Sequence, residues 1–151
     1  MNLEKLKTEI PFKWRVQSAN KWGASCVAYI DARDCQDLLD QVCGQENWQT
    51  IYYESAGLLF CKVGIKIEED EWVWKSDTGS ESNVEKDKGL VSDAFKRACV
   101  NWGIGRFLYS KTIVKLPVKE KGTRFAPYSE KTSKFIYGDD ITKWCNSISN
   151  K

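Results

Sequence analysis

The sharpest pattern in the chain lies between Leu90 and Trp102, where Leu90, Val91, Ala94, Phe95, Ala98, Cys99 and Trp102 step alternately by one and three. That double stripe predicts a helix buried along one side, with Lys96 and Arg97 on the other. A second stripe, Ala32, Cys35, Leu38, Leu39, Val42 and Cys43, follows Asp31, a residue type suited to an N-cap, and Gly44 supplies the stop. Between these helices the period changes to two. Leu59, Cys61, Val63, Ile65 and Ile67 alternate with polar partners such as Lys62 and Lys66. "WQTIYYE" before this run and "WVWKSDTG" after it complete a predicted three-stranded meander, with Glu68 to Glu71 at one turn and Trp72 and Trp74 on one face.

Elsewhere the pattern is weaker. Leu3 to Lys7 predicts a short helical turn before Pro11, and "FKWRVQSANKWG" lacks helical period and reads as an extended arm or loop. The polar stretch 80–89 reads as a loop leading into the Leu90 helix. After Tyr109, short apolar pairs interrupted by Lys, Gly and Pro predict irregular structure or edge strands. A last helix begins near Asp139 or Asp140 and buries Ile141, Trp144, Cys145 and Ile148. The expected fold class is α+β: a three-stranded antiparallel β-meander packed on a long amphipathic helix, a β-β-β-α core, with an additional N-terminal-side helix and a C-terminal helix.

Composition suits one globular domain with a real core: 42% of the 151 residues are hydrophobic and 29% charged. No apolar run reaches about 18 residues, and "MNLEKLKTEI" lacks the order of a secretory signal, so no membrane partner is expected and the expected location is cytoplasmic. Charge is uneven. The net charge is −3 over Met1 to Lys75 and +5 over Ser76 to Lys151, and Lys96 to Lys134 holds ten basic residues against Glu120 and Glu130. That block is a candidate polyanion surface.

The chemistry is defined as much by what is missing. With no histidine there is no His-based triad, and neither GxSxG nor GxxxxGK[ST] occurs. The six cysteines contain no CxxC pair, and several fall on helix stripes, so they read as small buried hydrophobes in a reducing compartment rather than metal ligands. Gly103-Ile104-Gly105-Arg106 follows a helix instead of opening one, so it reads as a helix stop that presents Arg106, Phe107 and Tyr109 rather than as a nucleotide loop. Several of the nineteen aromatic residues stand beside cations, as in Phe12 to Arg15, Asn20 to Trp22 and Gly105 to Tyr109. Cations neutralise phosphates and exposed rings stack on unpaired bases, which suits single-stranded nucleic acid.

Two segments carry a family resemblance: "YIDARDCQDLLDQVCGQENW" from Tyr29 to Trp48 and "KGLVSDAFKRACVNWGIGRFLY" from Lys88 to Tyr109. With the meander between them they resemble the annealing domain of Rad-fifty-two-like single-strand annealing proteins, particularly the short phage and prophage members. The resemblance implies one annealing domain, with its core over about 15–109 and a basic C-terminal extension over 110–151. It also implies a homo-oligomeric ring or helical filament holding single-stranded DNA in a positively charged groove. Lys96 and Arg97 inherit the role of phosphate contacts, and Arg15 and Tyr29 correspond to the family's arginine upstream of the first helix and the aromatic that opens it. Where relatives carry a further helix cation this chain has Val100, with Arg106 as the candidate replacement. The implied activity is annealing of complementary strands in recombination and repair, without catalytic residue, nucleotide hydrolysis, metal or other cofactor. Partners of that setting are an exonuclease or a single-strand-binding protein, in a bacterial or phage-infected host cytoplasm.

Two readings from other classes compete. A metal-dependent nuclease or related recombination enzyme would use the acidic residues Glu68 to Glu71 with Asp77 around Mg²⁺. A protein-interaction module would turn the basic surface toward an acidic partner.

Overall fold

A computed structural model describes residues 1–80 and 86–150. In chain order the strands and α-helices are β1 (Lys13–Asn20), β2 (Gly23–Tyr29), α1 (Ala32–Cys43), β3 (Trp48–Ser55), β4 (Leu58–Glu68), β5 (Glu71–Thr78), α2 (Lys86–Asn101), β6 (Val114–Leu116), β7 (Val118–Lys121), β8 (Arg124–Ser129), β9 (Lys134–Phe135) and α3 (Asp139–Ser149). Short 3-10 helices cover Leu3–Lys7, Gln45–Asn47 and Arg106–Ser110. They group into two compact units: Met1–Ile10 with Ile30–Phe107, and Pro11–Tyr29 with Leu108–Lys151.

The expected fold class is therefore corrected. Among the described residues there are three small antiparallel sheets, ordered β1-β2-β6, β3-β4-β5 and β7-β8-β9, and not a single meander on one long helix. The strands that sequence left unassigned or undecided have physical reasons to be hard to read. β1 carries a register break between Val16 and Ser18 that disturbs its alternation, and β6, β7 and β9, in the region read as irregular structure or edge strands, span only two to four residues each. The stretch from Phe12 to Gly23, read as an extended arm or loop, instead forms β1 and the turn that pairs it with β2. The loop expected over 80–89 lies outside the described residues at 81–85, and from Lys86 onward the backbone is already helical.

In the first unit, α2 lies on β4 and β5. Cys61, Val63 and Ile65 point from the central strand toward Ala94, Phe95, Ala98, Cys99 and Trp102, and all eight side chains are buried. The indole N–H of Trp102 donates to the Val63 carbonyl at 2.9 Å, so this large ring reaches the core without an orphaned donor. α1 opens with a reciprocal cap: the Asp31 side chain accepts from the Asp34 amide, and the Asp34 side chain accepts from the Asp31 amide. The indole N–H of Trp48 donates to Asp40 at 2.7 Å, fastening β3 to that helix.

In the second unit, Trp14, Ala24, Cys26, Val114, Leu116, Ile136 and Cys145 form the core. α3 packs on β1 and β6. Its Thr142 hydroxyl accepts from the Trp14 amide at 3.0 Å, and its Asn146 side chain accepts from the Trp14 indole at 2.8 Å. Of the apolar residues expected on this helix, Cys145 is buried, Ile141 and Trp144 are half-buried and Ile148 is exposed.

Candidate nucleic-acid interface

Lys96 and Arg97 are neighbours on α2, so about 100° of helical rotation separates them. Arg97 is exposed and pairs with Asp93 one turn earlier, Nε to Oδ2 at 3.1 Å. Burial raises the Asp93 carboxyl, but hydrogen bonds from the Ser80 amide and hydroxyl and the Arg97 charge outweigh it and hold the carboxyl below the usual aspartate value. Lys96 is half-buried and its ammonium reaches back to the Ile30 carbonyl at 3.5 Å, at the long limit for a hydrogen bond. The two cations therefore differ: one stands in solvent, the other lies along its own unit with a tether to the backbone.

Arg106 is placed differently from its sequence reading. Gly103 and Gly105 adopt positive φ, +105° and +82°, and turn the chain back on the end of α2. The guanidinium then donates to the Val100 carbonyl at 2.8 Å and the Asn101 carbonyl at 2.9 Å. These are carbonyls of the helix's last turn, where a cation also meets the negative end of the helix dipole. Two of its five donors are thus committed to closing the helix.

In the second unit the structure brings Arg15 and Tyr29 together: the guanidinium carbon sits 5.4 Å from the ring centroid. Register explains why. Lys13 pairs with Tyr29, Arg15 with Val27, and Ser25 with Lys115, so Lys13, Arg15, Tyr29 and Lys115 share the sheet face opposite the core. Lys13, Arg15 and Lys115 are all exposed. Sequence reading assigned neither Lys13 nor Lys115 as a contact, although it flagged the Phe12 to Arg15 run and the basic block that holds Lys115. The two-residue spacing of Lys13 and Arg15 around a buried Trp14 is the signal that could have found the first, whereas Lys115 is added only by a pairing ninety residues distant.

The flagged aromatics divide. Trp14 is core, 2% exposed, whereas Trp22 at the β1–β2 turn is 77% exposed, with the Lys21 ammonium 5.0 Å from its ring, and Tyr109 is 78% exposed. The nuclease geometry does not form. Glu68 pairs with Glu71 at one end of the hairpin while Asp77 pairs with Cys61 six residues along β5, about 20 Å away. Among the described residues no three His, Cys, Asp or Glu side chains group as metal ligands. No helix among them is long and apolar enough to cross a membrane.

The surface thus carries an exposed arginine on α2 in the first unit and, in the second, a cationic sheet face bearing an aromatic. The profile of the Rad52/22 family of double-strand break repair proteins matches residues 1–124, and the chain belongs to that family. It is 34% identical over 95 residues to the single-stranded DNA-binding protein DdrA of Deinococcus radiodurans, covering 61% of this chain and 44% of that one. To the protein of the same name from Deinococcus deserti it is 33% identical over 102 residues, covering 66% and 50%. The matches thus span about half the length of these relatives or less. No solved structure matches the chain significantly.

Proposed function

We propose that this chain binds single-stranded DNA and anneals complementary strands during double-strand break repair, using charge and no catalytic residue. The observation that carries the reading is Arg97: a solvent-facing cation on the long helix of a Rad52/22 family member, beside Lys96. The two relatives are named as single-stranded DNA-binding proteins, which supports the same ligand here. Lys96, Arg97, Arg15 and Tyr29 are the contacts proposed for phosphate and base, with Lys13 and Lys115 added and Arg106 contributing only the donors left over from its helix cap. In this mechanism the cations hold a strand by its backbone and lower repulsion between two strands, while base pairing supplies the free energy. No nucleotide is hydrolysed and no cofactor is needed.

The chain acts as one annealing domain, with its core over about 15–109 and a basic extension over 110–151. β3 supports self-association into a ring or filament. It is an edge strand, and Ile51, Tyr52 and Tyr53 stand 42%, 41% and 37% exposed along it, an arrangement that invites pairing with another copy. The setting that fits is a bacterial or phage-infected host cytoplasm, with an exonuclease or single-strand-binding protein as further partner.

The test is a fluorescence-anisotropy titration of a labelled oligonucleotide with the wild-type chain and with Arg97→Ala combined with Lys96→Gln, followed by annealing of two complementary oligonucleotides. Loss of most binding and annealing in the variant, with an unchanged melting temperature, supports the reading. Equal binding by the two proteins removes these residues from the DNA contact. A wild-type chain that ignores DNA but captures an acidic peptide is a protein-interaction module instead.

A further inference from the structure

The third sheet carries a second concentration of rings and cations, outside the helix and sheet face assigned above. Register places Lys119 opposite Ala126, Lys121 opposite Arg124, and Tyr128 opposite Phe135. Alternation along the strands therefore puts Lys119, Lys121, Arg124, Tyr128 and Phe135 on one face. The Lys119 ammonium lies 4.7 Å from the Tyr128 ring, and that of Lys121 lies 5.2 Å from Phe135 and 4.3 Å from Tyr137. The three rings run on from one another, at 5.2 Å from Tyr128 to Phe135 and 6.3 Å from Phe135 to Tyr137. Lys121 also donates to the Tyr137 hydroxyl.

Two features of this face bear on what it could hold. Lys121 and Arg124 are like charges directly opposed at the end of a hairpin, an arrangement that destabilises a strand pair unless an anion sits between them. Among the described residues no carboxylate pairs with either. The second feature is Tyr137, 56% exposed although its ring is oriented by Lys121 on one side.

We propose that this face, Lys119, Lys121, Arg124 and Tyr137, is a second contact for single-stranded nucleic acid. Bases stack on Tyr137, and Lys119, Lys121 and Arg124 take successive phosphates. Lys119 and Lys121 are two strand residues apart, about 7 Å, which lets them follow an extended backbone rather than clamp one point. A row of cations with an oriented open ring matches a strand of alternating charge and base better than an acidic peptide, which offers charge alone. The inference rests on the proposed ligand and extends it to a surface at the end of the family match, with Lys119, Lys121 and Arg124 inside residues 1–124 and Tyr137 beyond them.

The experiment compares three full-length proteins against a labelled thymidine oligonucleotide over a salt series: wild type, Tyr137→Ala, and Lys121→Gln with Arg124→Gln. The glutamine pair relieves like-charge repulsion, so its melting temperature should hold or rise while its affinity falls several-fold and its salt slope drops by about 1.4. Tyr137→Ala should lose about fivefold or more in affinity with its salt slope unchanged. Ultraviolet crosslinking of the wild type should attach the oligonucleotide to the peptide holding Tyr137. Wild-type affinity and slope in both variants, with no such crosslink, overturn the second contact and leave the Arg97 reading standing. Affinity lost here but kept in Arg97→Ala with Lys96→Gln does the reverse. Weakened binding of an acidic peptide with unchanged DNA affinity assigns the face to a protein partner and overturns it.

Discussion

The Trp74 ring lies against Gly64, its register partner on the neighbouring strand, so that a methyl group added at Gly64 would meet the indole at 2.7 Å. Trp74 in turn stacks near Trp72 at 6.1 Å between centroids and takes the Lys62 ammonium at 4.8 Å. Gly64→Ala should lower stability by about 1–3 kcal/mol, because the ring must leave its position. Adding Trp74→Leu should recover part of that loss, a coupling that urea unfolding of the four proteins in a double-mutant cycle would measure.

Trp102→Phe keeps the apolar bulk but removes the donor that the Val63 carbonyl accepts from. A buried acceptor left without its partner costs about 1–3 kcal/mol. The expected outcome is a lower urea midpoint with an unchanged denaturant slope; a midpoint equal to wild type would contradict a structural role for that hydrogen bond.

Arg97 and Arg106 should separate function from stability. Arg97→Ala removes an exposed ion pair worth about 0–1 kcal/mol, so stability should change little while the salt dependence of DNA binding falls by about 0.7. Arg106→Ala strips two charge-assisted hydrogen bonds from the end of α2 and should cost about 1–3 kcal/mol. Melting temperature and a salt titration on each variant check both halves.

Alkaline pH should unfold the protein earlier than its lysine content alone suggests. Burial, with neighbouring Cys26 adding to it, pushes Cys145 up to about 12, and burial pushes Cys61 to about 11, from an ordinary thiol value of 9.0. Tyr52 is raised from 10.0 to about 12, first by burial and then by Cys61. Each folded-state value lies above the unfolded one, so the stability involved is complete below pH 9 and is lost as the pH rises toward 11 and 12. Asp93 acts at the other end: its folded value is depressed, so its contribution holds above the ordinary 3.8 and fades as the pH falls below it. Chemical denaturation at pH 3, 7 and 10 should show a maximum at the middle value.

Elements that bury one regular face were legible in the chain. Asp31, the stripe behind it and Gly44 bound α1 within a residue, and alternation from Leu59 to Ile65 marked the strand whose Cys61, Val63 and Ile65 are fully buried. In the second unit α3 was legible from Asp139 but the strands were not, because they owe their existence to distant partners: Ser25 meets Lys115, and Trp14 meets Asn146. Local pattern carries no trace of such pairings. The same limit explains the site. The exposure of Arg97 was readable from helical phase alone, whereas Arg106 looked like a free cation because nothing in "GIGR" reveals that the turn folds its side chain back onto Val100 and Asn101.

The discontinuous layout of the second unit also sets an order of events at the ribosome. Pro11–Tyr29 emerges early, yet Ala24 cannot pair with Leu116, nor Trp14 reach Asn146, until most of the chain has been made. At synthesis rates of about 5–20 residues per second, that leaves the β1–β2 hairpin waiting for several seconds with Trp14 and Cys26 uncovered. The exposed cations Lys13, Arg15 and Lys21 then discourage edge-to-edge association of nascent chains. Lys13 and Arg15, proposed to meet DNA in the finished protein, thereby act earlier, with Lys21, as guards of an unfinished one.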